Sequence, residues 1–217
     1  PQTTEPITIS LQAFYECSAL EEIIVRKVCL IEKSAFAECT SLKRIIASDL
    51  QETVTVHQNA FYRCRELNEV SINTQKLVVQ ENAFYSCRAL QSLNKEYKYD
   101  LEVRTAAFRY CNSLETLGRV TIQASVGDSA FEACTSLTEI DMSKAIYVGN
   151  KCLYGCSSIK SVVLSDYMDS ISKEMLNGCI SLEEVVIGRG ISEIPEEMFA
   201  GFTNLKRVVL PDLNLKT

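Results

Sequence analysis

The stretch Ala13-Phe14-Tyr15-Glu16-Cys17-Ser18-Ala19-Leu20 decides the fold, because its pattern A-F-x-x-C-x-x-L returns about every 23 residues. Five more copies keep the full pattern: Ala35/Phe36/Cys39/Leu42, Ala60/Phe61/Cys64/Leu67, Ala83/Phe84/Cys87/Leu90, Ala107/Phe108/Cys111/Leu114 and Ala130/Phe131/Cys134/Leu137. Three variant copies close the series: Cys152/Leu153/Cys156/Ile159, Met175/Leu176/Cys179/Leu182 and Met198/Phe199/Phe202/Leu205. A repeat of this period indicates stacked coils, which present one elongated surface rather than one pocket.

Each copy is followed by the apolar pattern L-x-x-I-x-(I/V), as in Leu20/Ile23/Val25. Alternation with period two predicts a short strand, and its β-branched residues suit a parallel sheet. Within the motif, apolar residues at i, i+1, i+4 and i+7 fit one or two turns of α-helix or 3₁₀-helix. The sequence therefore predicts an α/β solenoid of about nine coils, with a concave parallel sheet and short helical turns.

Stacking should bury the motif residues of neighbouring coils against one another. We expect the Phe side chains to form an internal spine and the small Ala residues to let the coils approach closely. Equivalent Cys side chains point in parallel, so a ladder of buried thiols is favoured over disulfides, and a line of thiols does not suit tetrahedral zinc. Cys29 lies outside this ladder and is the candidate for an exposed or reactive thiol, although a packed structural role is favoured for it too.

Composition argues against several functions. The net charge of −6 disfavours nucleic acid and anionic lipid as partners, and no run is apolar enough for a membrane helix. The single histidine, His57, and the paired carboxylates are expected on the solvated surface. No phosphate-binding loop or metal motif occurs, so we predict no catalytic residues, no cofactor and no metal.

The repeats resemble the BspA-like class of leucine-rich repeats, whose pattern is roughly I-G-x-x-A-F-x-x-C-x-x-L-x-x-I-x-I-P. The I-G dipeptide is represented by Val126-Gly127 and Val148-Gly149, and I-P by Leu210-Pro211 and by Ile194-Pro195, the latter in the I-G position. The resemblance implies a cell-surface or secreted, adhesin-like protein that binds host or extracellular proteins. An intracellular leucine-rich repeat scaffold is the alternative.

The repeats lead us to expect a single solenoid domain over residues 1–217, cut from a longer array. Neither Pro1–Thr8 nor Pro211–Thr217 resembles a full polar cap, so association through uncapped ends is a further expectation. The fourth and fifth copies lose the strand alternation at Leu93–Tyr99 and Leu117–Val120, where we expect a bulge or a longer loop.

The variable residues of the concave strands are the candidate binding surface. They form a first column (Glu22, Arg44, Glu69, Ser92, Thr116, Glu139, Ser161, Glu184, Arg207) and a second column (Ile24, Ile46, Ser71, Asn94, Gly118, Asp141, Val163, Val186, Val209). The second column is apolar at both ends, and exposed apolar stripes mark contact surfaces. The predicted partner-binding residues are Ile24, Ile46, Val163, Val186 and Val209, together with Arg44, Glu184 and Arg207. A second candidate is the tyrosine set Tyr15, Tyr62, Tyr85 and Tyr154, for which packing between coils is the alternative.

Overall fold

The computed structural model describes residues 5–94 and 96–211. Residues 1–4, Lys95 and residues 212–217 lie outside the described residues. Part of the expectation about the two ends of the chain therefore falls on residues that are not described. The strands are β1 (Ile7–Ile9), β2 (Glu22–Val25), β3 (Val28–Ile31), β4 (Arg44–Val56), β5 (Glu69–Val79), β6 (Ser92–Leu93), β7 (Lys98–Val103), β8 (Arg119–Thr121), β9 (Ser125–Val126), β10 (Glu139–Met142), β11 (Tyr147–Val148), β12 (Ser161–Leu164), β13 (Glu184–Val186) and β14 (Arg207–Val209).

All strand pairs join one coil to the next in parallel, in two ladders. The first ladder follows each motif Leu and contains β2, the starts of β4 and β5, β6, β10, β12, β13 and β14. The second ladder precedes each motif and contains β1, β3, the ends of β4 and β5, β7, β9 and β11. β4 and β5 are long because each runs from one ladder into the other without a break.

The strand register confirms the alignment of the two predicted columns in the first three coils and in the last four. In the first column, Glu22 lies beside Arg44 and Arg44 beside Glu69, and Glu139 begins a second run that ends at Arg207. Alternate residues face inward, as the burial of Ile45, Val70 and Val185 shows. The period-two pattern therefore separates interior from exterior positions along the first ladder.

The phenylalanine spine is also confirmed. Six rings stack from Phe14 to Phe131 with centroid separations of 5.0–5.4 Å and interplanar angles of 1–6°. These separations are close to the spacing of paired strands, so the coil repeat itself sets the ring spacing. The alanines that precede Phe36, Phe61 and Phe84 are fully buried, which lets neighbouring backbones approach.

The predicted helical turns are wrong, because residues 5–94 and 96–211 contain no helix. Each motif is instead a run of β-turns with i to i+3 hydrogen bonds, such as Ala35 N to Glu32 O and Cys39 N to Phe36 O. Ser34 and Glu38, the third residues of these two turns, have φ of 56° and 61°, as in type II turns. The described chain is thus an all-β solenoid rather than the predicted α/β fold.

Every motif except the eighth has two residues of positive φ, and the eighth has one, Gly178. This conformation turns the remaining backbone groups along the stack, where they bond to the next coil. Phe36 N donates to Ala60 O at 2.8 Å, and Glu38 N donates to Tyr62 O at 2.8 Å. An α-helix would direct these groups along its own axis and leave the coils without this ladder. The apolar spacing i, i+1, i+4, i+7 is common to both structures, which is why it misled the prediction.

All ten cysteines are free, and the ladder thiols from Cys39 to Cys179 are buried as predicted. They also act as donors: Cys64 Sγ lies 3.0 Å from Phe36 O, and every ladder thiol from Cys39 to Cys179 makes the same contact with the preceding coil. Cys29 is partly buried, in agreement with the favoured packed role, and the exposed thiol is Cys17 rather than Cys29. Cys17 belongs to the first motif and has no preceding described motif to cover it.

The irregularity predicted in the fourth and fifth copies is confirmed. β6 ends at Leu93, and the next residue, Asn94, is fully buried, so its predicted place in the exposed second column is wrong. Asn94 Oδ1 accepts a hydrogen bond from Ile72 N at 2.6 Å and thereby replaces a strand carbonyl. In the next coil, Thr116 makes only an isolated bridge to Ser92, and β8 pairs with β7 of the second ladder. The first ladder is therefore interrupted in its middle.

Candidate functional site

The outward face of the first ladder carries the predicted partner-binding residues. Ile24 is 64% exposed at one end of the ladder, and Ile46 beside it is half-buried. At the other end, Val163, Val186 and Val209 lie in register and are half-buried. The structure therefore brings the apolar residues together as two separate patches, one on each side of the interruption.

The charged residues of the same face are paired with each other. Arg44 forms an ion pair with Glu22, and this carboxylate raises the pKa of the Arg44 guanidinium. Arg207 Nη1 lies 2.9 Å from Glu184 Oε1 on the adjacent strand. These pairs link neighbouring coils across the surface, so the three predicted charged residues already have partners within the chain.

Two shallow grooves flank the interruption of the first ladder. The larger, of about 450 Å³, is lined by Ile46, Glu69, Ser71, Ser92 and Tyr97 among others. The smaller, of about 270 Å³, lies between coil 5, which follows Phe108, and coil 6, which follows Phe131, and its wall includes Val163. Sequence reasoning did not select Tyr97 or Val120 as site residues, although the broken strand pattern at Leu93–Tyr99 and Leu117–Val120 was the available signal.

The other residues that could take part in catalysis lie either on the surface or in the core, and His57 is exposed. Burial raises the pKa of the Cys39 thiol to about 11 and that of the Cys179 thiol to about 12. Neither thiol is therefore readily deprotonated to a reactive thiolate near neutral pH. Over the described ranges, no group of three or more His, Cys, Asp or Glu residues could hold a metal ion. None of the described segments forms a helix long and apolar enough to cross a membrane.

Two of the tyrosines that follow the motif Phe pack on aromatic rings of the adjacent coils, on the side of the solenoid formed by the motif turns. The rings of Tyr62 and Tyr85 stack at 5.1 Å, and Tyr85 meets Tyr110 edge-on at 5.5 Å. Arg63 lies 5.0 Å from the centre of the Tyr62 ring. Tyr15 and Tyr154 are more exposed and stand outside this row. The row supports the packing alternative for Tyr62 and Tyr85.

Comparison with protein families gives one match over almost the whole chain. The model for the BspA type leucine-rich repeat region, in six copies, matches residues 7–119 and 101–217. No curated protein matches the chain.

Several solved bacterial structures are similar. A leucine-rich repeat protein from T. pallidum is 18% identical with a TM-score of 0.54, over 89% of this chain and 79% of that one. One from Bacteroides ovatus ATCC 8483 is 19% identical with a TM-score of 0.49, and the match covers 95% of this chain and 64% of that protein. A leucine-rich cell surface protein from Faecalibacterium prausnitzii A2-165 is 15% identical with a TM-score of 0.33, over 87% and 82% of the two chains. The T. pallidum likeness shows the leucine-rich repeat fold.

Proposed function

Because the chain belongs to the BspA-type leucine-rich repeat family, we propose that it binds a protein partner through the outward face of the first ladder. We further propose an adhesin-like role at the cell surface or in secreted form, with host or extracellular proteins as partners. The family assignment supports this placement, and the repeat architecture suits a protein-interaction module, since stacked coils offer a long surface and no enclosed pocket.

One observation carries the proposal for the binding face. Ile24 and Ile46 at one end, and Val163, Val186 and Val209 at the other, are apolar residues in strand register that the core leaves at least partly exposed. A partner that covered both patches would remove apolar surface from water while the ion pairs of Arg44 and Arg207 stayed at the rim.

Binding of the purified domain to a panel of host extracellular matrix proteins tests this proposal. In the double variant Val163→Asp/Val186→Asp, two charges enter the proposed interface, and we expect affinity for the bound protein to fall at least about tenfold. Both side chains point outward, so circular dichroism and thermal unfolding should stay close to wild type. Unchanged affinity in a folded double variant would contradict the proposed face.

A matched control places the same charges elsewhere. Val78 lies on the outward side of the second ladder and is half-buried, and Ile146 is 61% exposed in the bend after β10. The control variant Val78→Asp/Ile146→Asp should bind the selected matrix protein as well as wild type does. Equal losses in both double variants would indicate a general effect of added charge.

The alternative, an intracellular scaffold, is favoured by one observation, the ten free cysteines. Secreted proteins commonly use disulfides, whereas reduced thiols are usual inside cells. Eight of these thiols are buried, however, and burial protects them from oxidation in either compartment. Protease treatment of intact producing cells separates the two: degradation of the protein supports the surface role, and full protection supports the scaffold.

A further inference from the structure

β10 has a free edge in the middle of the first ladder. Within the described ranges its strand partner is β12 alone. On its other side, coil 5 makes one long backbone contact with the residue before β10, from Thr138 N to Glu115 O at 3.4 Å. A strand edge without a partner is a template for another extended chain.

The end of the first ladder shows which groups of β10 are unpaired. Arg207 N donates to Glu183 O at 3.1 Å, and Val209 O accepts a hydrogen bond from Ile187 N at 2.9 Å. Glu139 and Asp141 occupy the same two register positions as Arg207 and Val209. In the part of the chain that the structure describes, neither of them makes the corresponding backbone bonds to coil 5. Their amide and carbonyl groups therefore face the groove between coils 5 and 6.

Coil 5 withdraws from β10 because its backbone is bonded elsewhere. The buried Tyr99 hydroxyl donates a hydrogen bond to Leu117 O at 2.7 Å. In a regular ladder this carbonyl would accept a hydrogen bond from β10 instead. Gly118 then has φ of 74°, and β8 pairs with β7. The smaller groove occupies the space that results.

The walls of this groove combine apolar and acidic groups. Val120 and Val163 supply apolar surface, and Glu139 and Asp141 are exposed acids on the edge strand itself. The ion pairs found among described residues include neither of these acids, whereas Glu22 and Glu184 of the first column pair with arginines. The unneutralised charge makes the free edge complementary to a basic chain.

We propose that an extended segment carrying Lys or Arg adds to the free edge of β10 as an extra strand. Its main chain bonds to the amide and carbonyl groups of Glu139 and Asp141, and its cationic side chains meet these two acids on the outward face, beside Val163. Its alternate, apolar side chains point inward and contact Val120, which packs against the core. The inference rests on the proposed function, because it names the part of a protein partner that the first ladder would hold.

The probe for the test is the peptide TVKVKVT, blocked at both ends, which alternates β-branched and basic residues. Titration into the ¹⁵N-labelled protein should shift the amide resonances of Glu139 and Asp141 and slow their hydrogen exchange. TVKPKVT lacks the central amide and TVEVEVT reverses the charge, and both should bind at least about tenfold more weakly. The inference would be overturned if TVKVKVT did not bind or if all three peptides bound equally. It would also be overturned if the changes in amide resonance were confined to β14.

Protein variants separate the backbone from the charge. Glu139→Gln keeps the amide and should weaken TVKVKVT about two- to fivefold, as loss of an exposed ion pair does. Glu139→Pro removes the amide that has no partner in coil 5, and it should abolish detectable binding. The double variant Glu139→Lys/Asp141→Lys keeps both amides, and it should bind TVEVEVT in preference to TVKVKVT. Unchanged peptide preference in the double variant would overturn the inference even if Glu139→Pro did not fold.

The two proposals fail differently. If the selected matrix protein loses affinity for Val163→Asp/Val186→Asp but binds the Glu139→Lys/Asp141→Lys variant as wild type, the binding face stands and the β10 edge is wrong. If the Val163→Asp/Val186→Asp variant binds normally, the proposed face itself is wrong.

Discussion

Replacement of Phe84 by alanine tests whether the stacked rings hold the solenoid together. Phe84 is fully buried, and its ring lies 5.0 Å from that of Phe61 and 5.2 Å from that of Phe108. Burial of a Phe side chain and the cavity left by its removal together account for about 3–5 kcal/mol. Two stacking contacts of about 0.5–1.5 kcal/mol each are part of that loss. We expect Phe84→Ala to lower the free energy of unfolding by about 3–5 kcal/mol.

Urea denaturation followed by circular dichroism measures this change, with the slope of the transition checked for loss of cooperativity. Phe14→Ala is the matched control, because Phe14 holds the same motif position but is only partly buried and stacks on Phe36 alone. The control should cost clearly less than Phe84→Ala. A loss below about 1 kcal/mol for Phe84→Ala, or equal losses for the two variants, would refute the spine as a source of stability.

Three further outcomes are expected. Tyr99→Phe leaves the buried Leu117 carbonyl without its donor and should cost about 1–3 kcal/mol in the same assay, so unchanged stability would contradict that bond's role. Alkylation of the native protein, read by mass spectrometry, should modify Cys17 and Cys29 before the buried thiols, and uniform labelling would contradict the buried ladder. Burial raises the pKa of Cys39 to about 11 and that of Cys179 to about 12. The pKa of a thiol in the unfolded chain is about 8.5. The contribution of these buried neutral thiols to the free energy of unfolding is therefore complete below that pH. It is lost as pH rises through the folded pKa, by about 1.4 kcal/mol per thiol for each pH unit. Equal urea midpoints at pH 8 and pH 10 would contradict this.

The sequence was sufficient for the interior and for the register of the first ladder outside its interruption, where the predicted position of Asn94 is wrong. Period-two alternation assigns Ile45 inward and Ile46 outward with no knowledge of the turns, because a slip of one residue would expose the whole apolar set. The burial of the motif Phe and Cys residues could be predicted in the same way, because a single coil cannot bury them and must stack on its neighbours.

The turns could not be predicted from apolar spacing, because the same spacing serves a helix and a run of type II turns. A different signal was present in the position before the motif Cys or its equivalent. Gly155, Gly178 and Gly201 occupy it in the last three copies with φ of 75–84°, and Asn82 holds a second position of positive φ. Glycine and asparagine at fixed motif positions are typical of the left-handed conformation rather than of helix interiors.

The candidate site was only partly accessible to sequence reasoning. The columns place Val163 and Val186 side by side, but the ion pairs that occupy Arg44 and Arg207 depend on side-chain geometry. The free edge of β10 depends on Tyr99, which lies 18 residues from the Leu117 carbonyl that it engages. Such a contact between coils has no periodic signature in the sequence.

Hydrogen exchange of the domain, free and bound to the matrix protein that the panel selects, tests the central claim most directly. If the outward face of the first ladder is the binding surface, protection on binding should concentrate in its strands, namely β2, the start of β4, β10, β12, β13 and β14. The motif turns and the second ladder should change little. Protection confined to the turn-side tyrosines or to the second ladder would contradict that claim.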